Sequence, residues 1–396
     1  MKLLILTFYY APDLSAGSFR ATALVRALSA RLGDGDQIDV VTTQPNRYSS
    51  FRSAVASDEW IGNVHIRRIA LPAHQSGMAD QARAFWAFQR QARRLVADQR
   101  YDVVFATSSR LFTAVLGSWM ARRRQIPLYL DIRDIFVDTI KDVLAGTSGR
   151  LARVVFSRLE AYALQRADKV NLVSKGFGPY FMERYPQLRY SFFTNGIDDE
   201  FLEPAVSSPL PRDGGPDAVP QVLYAGNIGE GQGLHAVIPA LAAALQGRAT
   251  FTIIGDGGRR AVLEGRIGDL GLQNVQLLPP RNREQLIAAY RAADVLFLHL
   301  NDFDAFRKVL PSKIFEYAAT GKPIWAGVAG YAAEFLAEHV SNATVFAPCD
   351  VATAARQFDT LDLRWQPRSS FVRQFSRDTL SEALAADLLR LVPRRG

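Results

Sequence analysis

Short runs of apolar residues alternate with helix-length segments along almost the whole chain. Runs rich in Val, Ile, Leu and Phe, without internal polar alternation, are typical of parallel sheets that helices cover on both faces. The segments between them, such as 18–32 and 234–246, have the length of connecting helices. The strand candidates of the first half are residues 3–7, 38–42, 64–69, 102–106, 127–131, 169–173 and 191–194, and those of the second half are 221–225, 250–254, 275–278, 294–299, 323–326 and 344–346.

A segment rich in proline and glycine, residues 204–220, separates the two sets of strands. Such a composition ends helices and strands and is typical of an interdomain linker. The chain has 396 residues, 48% of them hydrophobic, which is enough for two cores. We therefore predict an α/β protein with two doubly wound parallel-sheet domains facing a central cleft, an N-terminal domain of residues 1–203 and a C-terminal domain of residues 221–371.

Cysteine content and the first apolar run bear on the compartment. A single cysteine, Cys349, excludes an internal disulfide and suits a reducing cytosol. The apolar start, residues 3–10, is shorter than the roughly 20 residues that cross a bilayer and has no small-residue cleavage site. We interpret it as a buried strand and expect a cytoplasmic protein.

The net charge of +8 is unevenly distributed. Residues 1–205 contain 27 of the 47 Lys and Arg residues but 20 of the 39 Asp and Glu residues. A basic N-terminal domain suits an anionic partner, such as membrane lipid or a pyrophosphate-linked lipid, although a general solubility bias explains it equally well. Because no docking motif for nucleic acid is present, we expect no nucleic-acid partner.

The segment 306–325, FRKVLPSKIFEYAATGKPIW, contains the clearest candidate site. Pro311 and Ser312 precede a short predicted helix that a Gly-Lys-Pro break ends. Lys313 supplies positive charge at the helix start, and Glu316, one turn further, can accept hydrogen bonds from sugar hydroxyls. A Ser hydroxyl and backbone N–H groups beside a lysine suit the anionic oxygens of a phosphorylated ligand. An ordinary capped helix with exposed charges is the alternative.

Glycine-rich turns follow three of the predicted strands: APDLSAGSFR in the first half, and GNIGEGQGL and GDGGRR in the second. Glycine lets the backbone approach a phosphate or a sugar closely, and the helix that follows presents unpaired N–H groups. Each turn by itself could be only a tight turn. Since open parallel sheets bind ligands at the carboxyl ends of their strands, the turns together indicate ligand sites.

These motifs occur in an order that resembles the retaining glycosyltransferases of family 4, which have the GT-B architecture of two Rossmann-like domains. YYAPDLSAGSFRATALVRALSARL resembles the first strand, loop and helix of that family, and LEAYALQRADKVNLVSKGF and FTNGIDDEF resemble the end of its acceptor domain. VLYAGNIGEGQGL, TIIGDGG, YRAADVLFLHL and LPSKIFEYAATGKPI resemble its donor domain. The resemblance covers nearly the whole chain and implies that a C-terminal helix, about residues 372–396, joins the N-terminal domain. GNIGxxQGL with LPSKIFEY looks most like transferases of O-antigen and capsule synthesis that use nucleotide-linked N-acetylated deoxysugars, such as N-acetyl-L-fucosamine.

The resemblance implies a nucleoside diphosphate sugar as donor, with UDP as the expected nucleotide and Glu316 as acceptor of hydrogen bonds from its ribose. Asn227 and Gln232 stand where the family has an Arg and a Lys that hold the diphosphate, so we expect Lys313 to supply most of the positive field. The donor-binding residues implied by the resemblance are Gly17, Ser18, Asn227, Gln232, Gly255, Asp256, Gly257, Arg281, Lys308, Pro311, Ser312, Lys313 and Glu316.

One departure from the family concerns the sugar. The first Glu of the family's paired motif is Lys308 here, which cannot accept a hydrogen bond from the donor sugar. Sugar recognition must then differ or shift to a neighbour such as Asp302 or Asp304. The departure also leaves open a GT-B protein that has lost activity and binds a partner, although Lys313 and Glu316 are in place.

In the acceptor domain, YLDIRDIF places Arg133 and Asp134 where many relatives carry a His or a His-Asp pair near the reacting carbon. We take both as catalytic candidates beside Lys313 and Glu316; a structural ion pair of Arg133 with Asp131 or Asp134 is the alternative. A sugar-nucleotide epimerase of the same fold would place carboxylates and His there. The five His residues show no metal-ligand spacing, so we predict no required metal and no cofactor.

The expected chemistry is cleavage of the bond between the anomeric carbon and the diphosphate, with electrostatic stabilisation of the leaving group. The expected acceptor is a lipid-linked glycan of bacterial surface polysaccharide synthesis. Residues 78–100 and 111–124 combine arginines with Phe and Trp, which suits peripheral binding at the inner face of the membrane. Core contacts of ordinary surface helices with solvated arginines are the alternative.

Overall fold

The structure is a computed structural model that describes residues 1–13, 15–45, 55–71, 78–108, 110–135, 137, 147–202 and 218–392, without the side chains of 78–82 and 147–151. The chain divides into two compact units. The N-terminal unit comprises Met1–Gly196 and Arg377–Gly396, and the C-terminal unit comprises Ile197–Ser376.

The N-terminal unit is built on a sheet of eight strands in the order β3-β4-β2-β1-β5-β6-β7-β8. All neighbours run parallel except β3, which is antiparallel to β4. The strands are β1 (Lys2–Leu6), β2 (Gln37–Thr43), β3 (Asp58–Ile61), β4 (Val64–Ile69), β5 (Val103–Thr107), β6 (Leu128–Ile132), β7 (Lys169–Leu172) and β8 (Tyr190–Ser191). The helices are α1 (Ala16–Arg31), α2 (Met78–Leu95), α3 (Leu111–Arg124), α4 (Thr147–Leu164), α5 (Gly178–Arg184) and, from the C-terminus of the chain, α13 (Arg377–Leu389).

The C-terminal helix α13 packs on α1 and completes the core of the N-terminal unit. Its buried Leu384 and Leu388 join a cluster with Leu24 of α1 and the β1 residues Leu3 and Ile5. Burial of large aliphatic side chains contributes roughly 1.5–3 kcal/mol each, so this contact holds the end of the chain on the first unit.

Strand β3 is the element that the apolar pattern missed. Its residues are mostly exposed, Trp60 at 56% and Ile61 at 57%, and it lies at the edge of the sheet. A turn through Gly62, with φ +58°, joins it to β4. An edge strand that buries little has no continuous apolar run, which is why the pattern gave no signal for it.

The C-terminal unit is built on a six-stranded, fully parallel sheet in the order β11-β10-β9-β12-β13-β14. Its core includes Tyr224, Phe251, Phe297 and Trp325. The strands are β9 (Gln221–Ala225), β10 (Thr250–Ile254), β11 (Val275–Leu278), β12 (Val295–His299), β13 (Ile324–Gly327) and β14 (Ala343–Phe346). The helices are α6 (Leu234–Ala244), α7 (Arg260–Asp269), α8 (Arg283–Ala292), α9 (Lys313–Ala319), α10 (Tyr331–His339), α11 (Val351–Phe358) and α12 (Ser369–Phe375).

The units meet along the chain at different residues from those expected. Residues 197–202 and 372–376 belong to the C-terminal unit, because the Ile197 N–H donates to the Phe375 carbonyl at 2.8 Å and the Phe201 ring stacks on Tyr290 at 5.8 Å between centroids. The first segment of the N-terminal unit thus ends at Gly196 instead of 203, and its return begins at Arg377 instead of about 372. The expected linker, 204–220, lies outside the described residues except for 218–220.

Among the described helices, none is both long and apolar enough to span a bilayer.

Candidate active site

Two glycine-rich loops of the C-terminal unit lie against each other beyond the carboxyl ends of β9 and β10. The Gly226 N–H donates to the Ile254 carbonyl at 2.8 Å, and the Ile228 N–H donates to the Asp256 carbonyl at 2.8 Å. A Cβ on Gly255 would lie 1.8 Å from the Gly226 carbonyl oxygen. The loops 226–233 and 255–259 thus form one layer of backbone at the edge of the sheet where parallel sheets bind ligands.

The candidates Gly255, Asp256 and Gly257 serve this loop contact directly. Gly255 and Gly257 have φ of +151° and +154°, and a Cβ on Gly257 would lie 2.6 Å from the Ile228 carbonyl oxygen. The Asp256 side chain is exposed and accepts a hydrogen bond from the Gly257 N–H at 2.8 Å. The glycines are therefore required first for backbone-to-backbone packing of the two loops.

Asn227 and Gln232 are brought together by the loop that they share. The Asn227 amide Nδ2 donates to Gln232 Oε1 at 2.7 Å, and the Gly229 N–H donates to the same oxygen at 3.2 Å. This pair closes the loop 226–233 upon itself and leaves Gln232 Nε2 and Asn227 Oδ1 for other partners. Neither side chain carries charge.

Lys313 brings a positive charge close to this loop. It is the first residue of α9, and its side chain lies so close to the loop that a Cβ on Gly226 would be 2.3 Å from Nζ. Within the described part of the chain the ammonium group has no hydrogen-bond or ion-pair partner. Burial lowers the pKa of Lys313, while Glu316 acts to raise it and Arg283 to lower it further. A partly buried cation under a glycine-rich loop can attract an anionic group.

Pro311 and Ser312 lead into α9 as expected. The Ser312 side chain makes no capping hydrogen bond to the helix, and the Pro311 carbonyl accepts from the Ile314 N–H at 3.2 Å. The backbone of this turn is therefore bonded without help from the serine hydroxyl.

Glu316 lies one helical turn beyond Lys313, with 17% of its side chain exposed. Its carboxylate accepts hydrogen bonds from the Tyr290 hydroxyl at 3.1 Å and from Arg283 Nη1 at 3.5 Å. Two donors leave part of the acceptor capacity of a carboxylate unused. Glu316 is thus held in one orientation and can still accept hydrogen bonds from a ligand.

Arg283, which the sequence analysis did not select, ties Glu316 to the first residues of the unit. Its guanidinium donates to the Asp198 carboxylate, lies 3.9 Å from Glu200, and stacks 4.4 Å from the centroid of the Phe201 ring. Burial acts to lower the pKa of Arg283, but Glu316 and Asp198 outweigh it and the pKa is raised. The capping box of Asn282 and Gln285 marks Arg283 as the first residue of a helix that follows a strand, and this was the available signal.

The selected candidate Arg281 lies two residues earlier and is exposed in the turn before α8. Arg283 takes the place beside Glu316 because it begins the helix that packs its Tyr290 under the same carboxylate.

Lys308 is the last residue of a short 3-10 helix, Asp304–Lys308, and is half-buried. The two alternatives for sugar recognition, Asp302 and Asp304, lie 3.2 Å and 3.9 Å from the Arg307 guanidinium. In the same helix, the Phe306 ring lies against the glycine loop, where a Cβ on Gly231 would be 2.7 Å from it. The segment therefore borders the loop 226–233, with both carboxylates facing a cation.

A buried histidine anchors the same loop from beneath. His299, at the end of β12, bonds through Nδ1 to the Gln232 carbonyl at 2.7 Å, and its Nε2 accepts from the Cys349 N–H at 3.0 Å. Burial lowers the pKa of His299 to about 4, so the imidazole is neutral and carries its proton on Nδ1. Its role is to hold the loop, and the sequence analysis did not single it out.

In the N-terminal unit, Gly17 and Ser18 lie in the first turn of α1, after the carboxyl end of β1. The Ser15 hydroxyl caps this helix by accepting from the Ser18 N–H at 3.2 Å. The Ser18 hydroxyl is buried and has no hydrogen-bond partner among the described residues.

Asp131, one of the two expected ion-pair partners of Arg133, pairs with Arg20. The buried Arg20 guanidinium donates to both Asp131 oxygens, at 2.9 Å and 3.0 Å, and to the carbonyls of Phe193 and Thr194. Burial alone would raise the pKa of Asp131, but Arg20 lowers it. The Asp131 carboxylate therefore has a structural role.

Arg133 follows β6 and is differently placed. Its Nη2 donates to Asn195 Oδ1 at 3.3 Å, and its Nη1 is buried without a hydrogen-bond partner in the described residues. Burial lowers the pKa of Arg133 to about 10. The Asp134 carboxylate accepts from the Ile135 N–H at 2.8 Å. A buried guanidinium nitrogen with an unused proton is a candidate donor to a ligand oxygen.

The described residues include no group of three or more His, Cys, Asp or Glu side chains that could hold a metal ion.

Two family models match the chain, one in each half: Glycosyl transferase 4-like domain at residues 17–196 and Glycosyl transferases group 1 at residues 212–374. The Escherichia coli K12 protein WcaI, named for glycosyl transfer in colanic acid biosynthesis, is 26% identical over 339 residues, which are 81% of this chain and 82% of WcaI.

Solved structures share the fold over the full length. Sucrose-phosphate synthase from Thermosynechococcus elongatus has a TM-score of 0.72 at 16% identity and covers 99% of each chain. HepE from Anabaena, in complex with UDP-glucose, has a TM-score of 0.65 at 16% identity and covers 98% of this chain and 99% of its own. The predicted GT-B fold is confirmed. The chain is a glycosyltransferase of the GT-B type, composed of a glycosyl transferase 4-like domain followed by a group 1 glycosyl transferase domain.

Proposed function

We propose that the protein transfers a sugar from a UDP-linked donor to a lipid-linked glycan in bacterial surface polysaccharide synthesis, with retention at the anomeric carbon. The observation that carries the proposal is the position of Lys313. Its ammonium group, which has no hydrogen-bond or ion-pair partner among the described residues, lies against Gly226, with Glu316 one turn further along the helix. The cation suits the diphosphate, and the oriented carboxylate suits the ribose hydroxyls.

The donor is proposed from two further points. HepE, which shares the fold, is described in complex with UDP-glucose. The pair Asn227 and Gln232 offers amide groups in place of charges beside the diphosphate position, so recognition there is by hydrogen bonding. The sugar that we propose is an N-acetylated deoxyhexose such as N-acetylfucosamine. The name of WcaI supports polysaccharide synthesis as the setting.

The proposed reaction breaks the bond between the anomeric carbon and the diphosphate oxygen while the acceptor hydroxyl attacks from the same face. Negative charge grows on the leaving diphosphate, and Lys313 stabilises it more in the transition state than in the ground state. The departing diphosphate accepts the proton of the acceptor hydroxyl. Arg133 and Asp134 are the proposed residues of the acceptor side. The charge at Lys313 serves where many transferases use a metal ion, so we propose a metal-independent reaction without a cofactor.

The setting that we propose is the cytoplasmic face of the inner membrane, where a lipid-linked acceptor is exposed. The basic character of the first half of the chain supports peripheral association with anionic lipid.

The proposal is tested by thermal stabilisation with UDP, GDP and TDP and their sugar conjugates, with Mg²⁺ or with EDTA. We expect UDP compounds alone to stabilise the protein, equally in EDTA, and the effect to disappear in Lys313→Ala and Glu316→Ala. The matched controls are Lys175→Ala and Glu264→Ala, whose residues are exposed and are not among the candidate residues. Stabilisation by no nucleotide would overturn the donor site and favour a protein that binds a partner.

A second assay distinguishes transfer from epimerisation. The protein is incubated with a UDP-linked N-acetylated deoxyhexose and membrane extract containing lipid-linked glycan, and the products are examined by NMR. Retained anomeric configuration in a glycan product, with release of UDP, is expected. An epimerised sugar nucleotide without glycan product would contradict the proposal.

A further inference from the structure

A cavity of about 680 Å³ opens between the carboxyl-terminal halves of α2 and α3 in the N-terminal unit. It is lined by five arginines and two tryptophans, together with a few small or amide residues. We call it the arginine groove; its charged and aromatic residues are Arg90, Arg93, Arg94, Arg123, Arg124, Trp86 and Trp119.

Among the described residues, no carboxylate balances the positive charge of the arginine groove. No Asp or Glu lines the cavity, and none of the five arginines forms an ion pair with a carboxylate of the described residues. Arg124 donates instead to the Val96 carbonyl at 2.6 Å. Like charges gathered around one cavity repel each other, and an anion in the cavity would relieve that repulsion.

The tryptophans hold these guanidinium groups in place. The Arg93 guanidinium lies 4.1 Å from the ring centroid of Trp119 and Arg123 lies 5.7 Å from it, while Arg90 lies 5.5 Å from the ring of Trp86. Trp86 is 61% exposed. Cation–π contacts orient the arginines, and an exposed tryptophan beside arginines suits the headgroup layer of a membrane.

The arginine groove lies at the opposite edge of the sheet from the candidate catalytic residues. Helices α2 and α3 end where β5 and β6 begin, whereas Ser18 and Arg133 follow the carboxyl ends of β1 and β6. Arginines in the last turn of a helix do complement its dipole. That explanation does not account for five of them around one cavity, two of which share a tryptophan ring.

We propose that the arginine groove binds the phosphate headgroups of anionic phospholipids and so docks the N-terminal unit on the membrane surface. The inference rests on the proposed function only for its choice of a membrane as the source of phosphate. It adds the site, the residues and the class of lipid. Binding depends on the groove alone and requires neither donor nor acceptor.

The test is co-sedimentation of the full chain with vesicles of phosphatidylcholine, with and without phosphatidylglycerol. The wild type should bind only the vesicles that contain phosphatidylglycerol. Arg93→Glu with Arg123→Glu should reduce the binding constant about tenfold or more, because each basic residue near the surface contributes several-fold. The control pair Arg166→Glu with Arg189→Glu has the same net charge, lies on exposed positions of the same unit outside the groove, and should bind nearly as wild type.

Additional variants and a UDP-binding measurement distinguish the possible causes of lost vesicle binding. Arg93→Gln with Arg123→Gln should give an intermediate loss, which keeps the test valid if the charge-reversed pair does not fold. Stabilisation by UDP should be the same in all variants, so loss of vesicle binding with intact UDP binding separates this inference from the proposed function. Equal loss in the control pair, absence of wild-type binding, or binding of inorganic pyrophosphate without binding of vesicles would each overturn it.

Discussion

Arg283 Nη1 lies 3.5 Å from the Glu316 carboxylate, and the same guanidinium also binds the Asp198 carboxylate. One arginine thus orients Glu316, which is proposed to accept hydrogen bonds from the ribose of the donor, and also holds the first residues of the C-terminal unit in place. The contact joins the first residue of α8 to the first turn of α9, two helices that follow different strands of the sheet.

Arg283→Ala should raise the KM for the donor about tenfold, with a smaller change in kcat. Hydrogen bonds to charged groups contribute roughly 1.5–3 kcal/mol, and partial exposure of this pair reduces the effect. Arg283→Lys should recover part of the loss. Donor titrations in steady-state kinetics provide the measurement, with the exposed Arg356→Ala as control. An unchanged KM with a lowered melting temperature would show that Arg283 serves stability alone.

Lys313→Met should lower kcat roughly 10²–10³-fold, because it removes the cation proposed to stabilise the leaving diphosphate. The melting temperature should stay the same or rise, since a partly buried ammonium that lacks a partner in the described residues is replaced by an apolar side chain of similar length. Single-turnover kinetics and thermal unfolding are to be measured on the same preparation. A drop in melting temperature that parallels the loss of rate would contradict this assignment.

Gly255→Ala should destabilise the C-terminal unit by at least about 2 kcal/mol, because the residue has φ +151° and its Cβ would collide with the Gly226 carbonyl. Gly258→Ala is the matched control: it lies in the same loop, and a Cβ there meets nothing within 4 Å. Urea unfolding of both variants gives the comparison. Equal stability of the two would mean that the loops 226–233 and 255–259 can separate without cost.

The protein should become less stable as the pH is lowered, because of His299. Burial lowers its pKa from 6.5 to about 4, so between these values the unfolded chain binds a proton that the folded chain does not. Its contribution is therefore fully present above pH 6.5 and is lost as pH falls towards 4, by up to about 3 kcal/mol. His299→Gln can keep both hydrogen bonds and should flatten the dependence of unfolding free energy on pH. A variant with the wild-type slope would place the effect elsewhere.

Arg20 and Arg133 should separate as structural and functional residues. Arg20→Met leaves the buried Asp131 carboxylate without its bidentate partner and should cost roughly 3–5 kcal/mol of stability. Arg133→Met should change stability little and reduce transfer to the acceptor. Denaturant unfolding and acceptor kinetics of the two variants test this contrast. If Arg133→Met transfers sugar at the wild-type rate, Arg133 has no part in the reaction.

The apolar runs predicted the two parallel sheets correctly because buried strands of such sheets have to be apolar on both faces. The same rule could not find β3, an exposed edge strand. Local start signals placed Lys313 at the beginning of α9, where the structure has it. Selection of Arg281 over Arg283 depended on a boundary of two residues, which propensity does not resolve.

The sequence alone was sufficient for the order of the buried strands along the chain, the loops that follow them, and the place of Lys313 and Glu316 on one short helix. All of these depend on hydrophobic period and on residues a few positions apart. Only the folded chain showed which distant residues pair with each other: Arg20 with Asp131, and Arg283 with Glu316. The folded chain alone also showed that arginines of α2 and α3 line one groove. Such pairs join side chains from different elements, and which of several arginines reaches a carboxylate depends on packing geometry that no local pattern records.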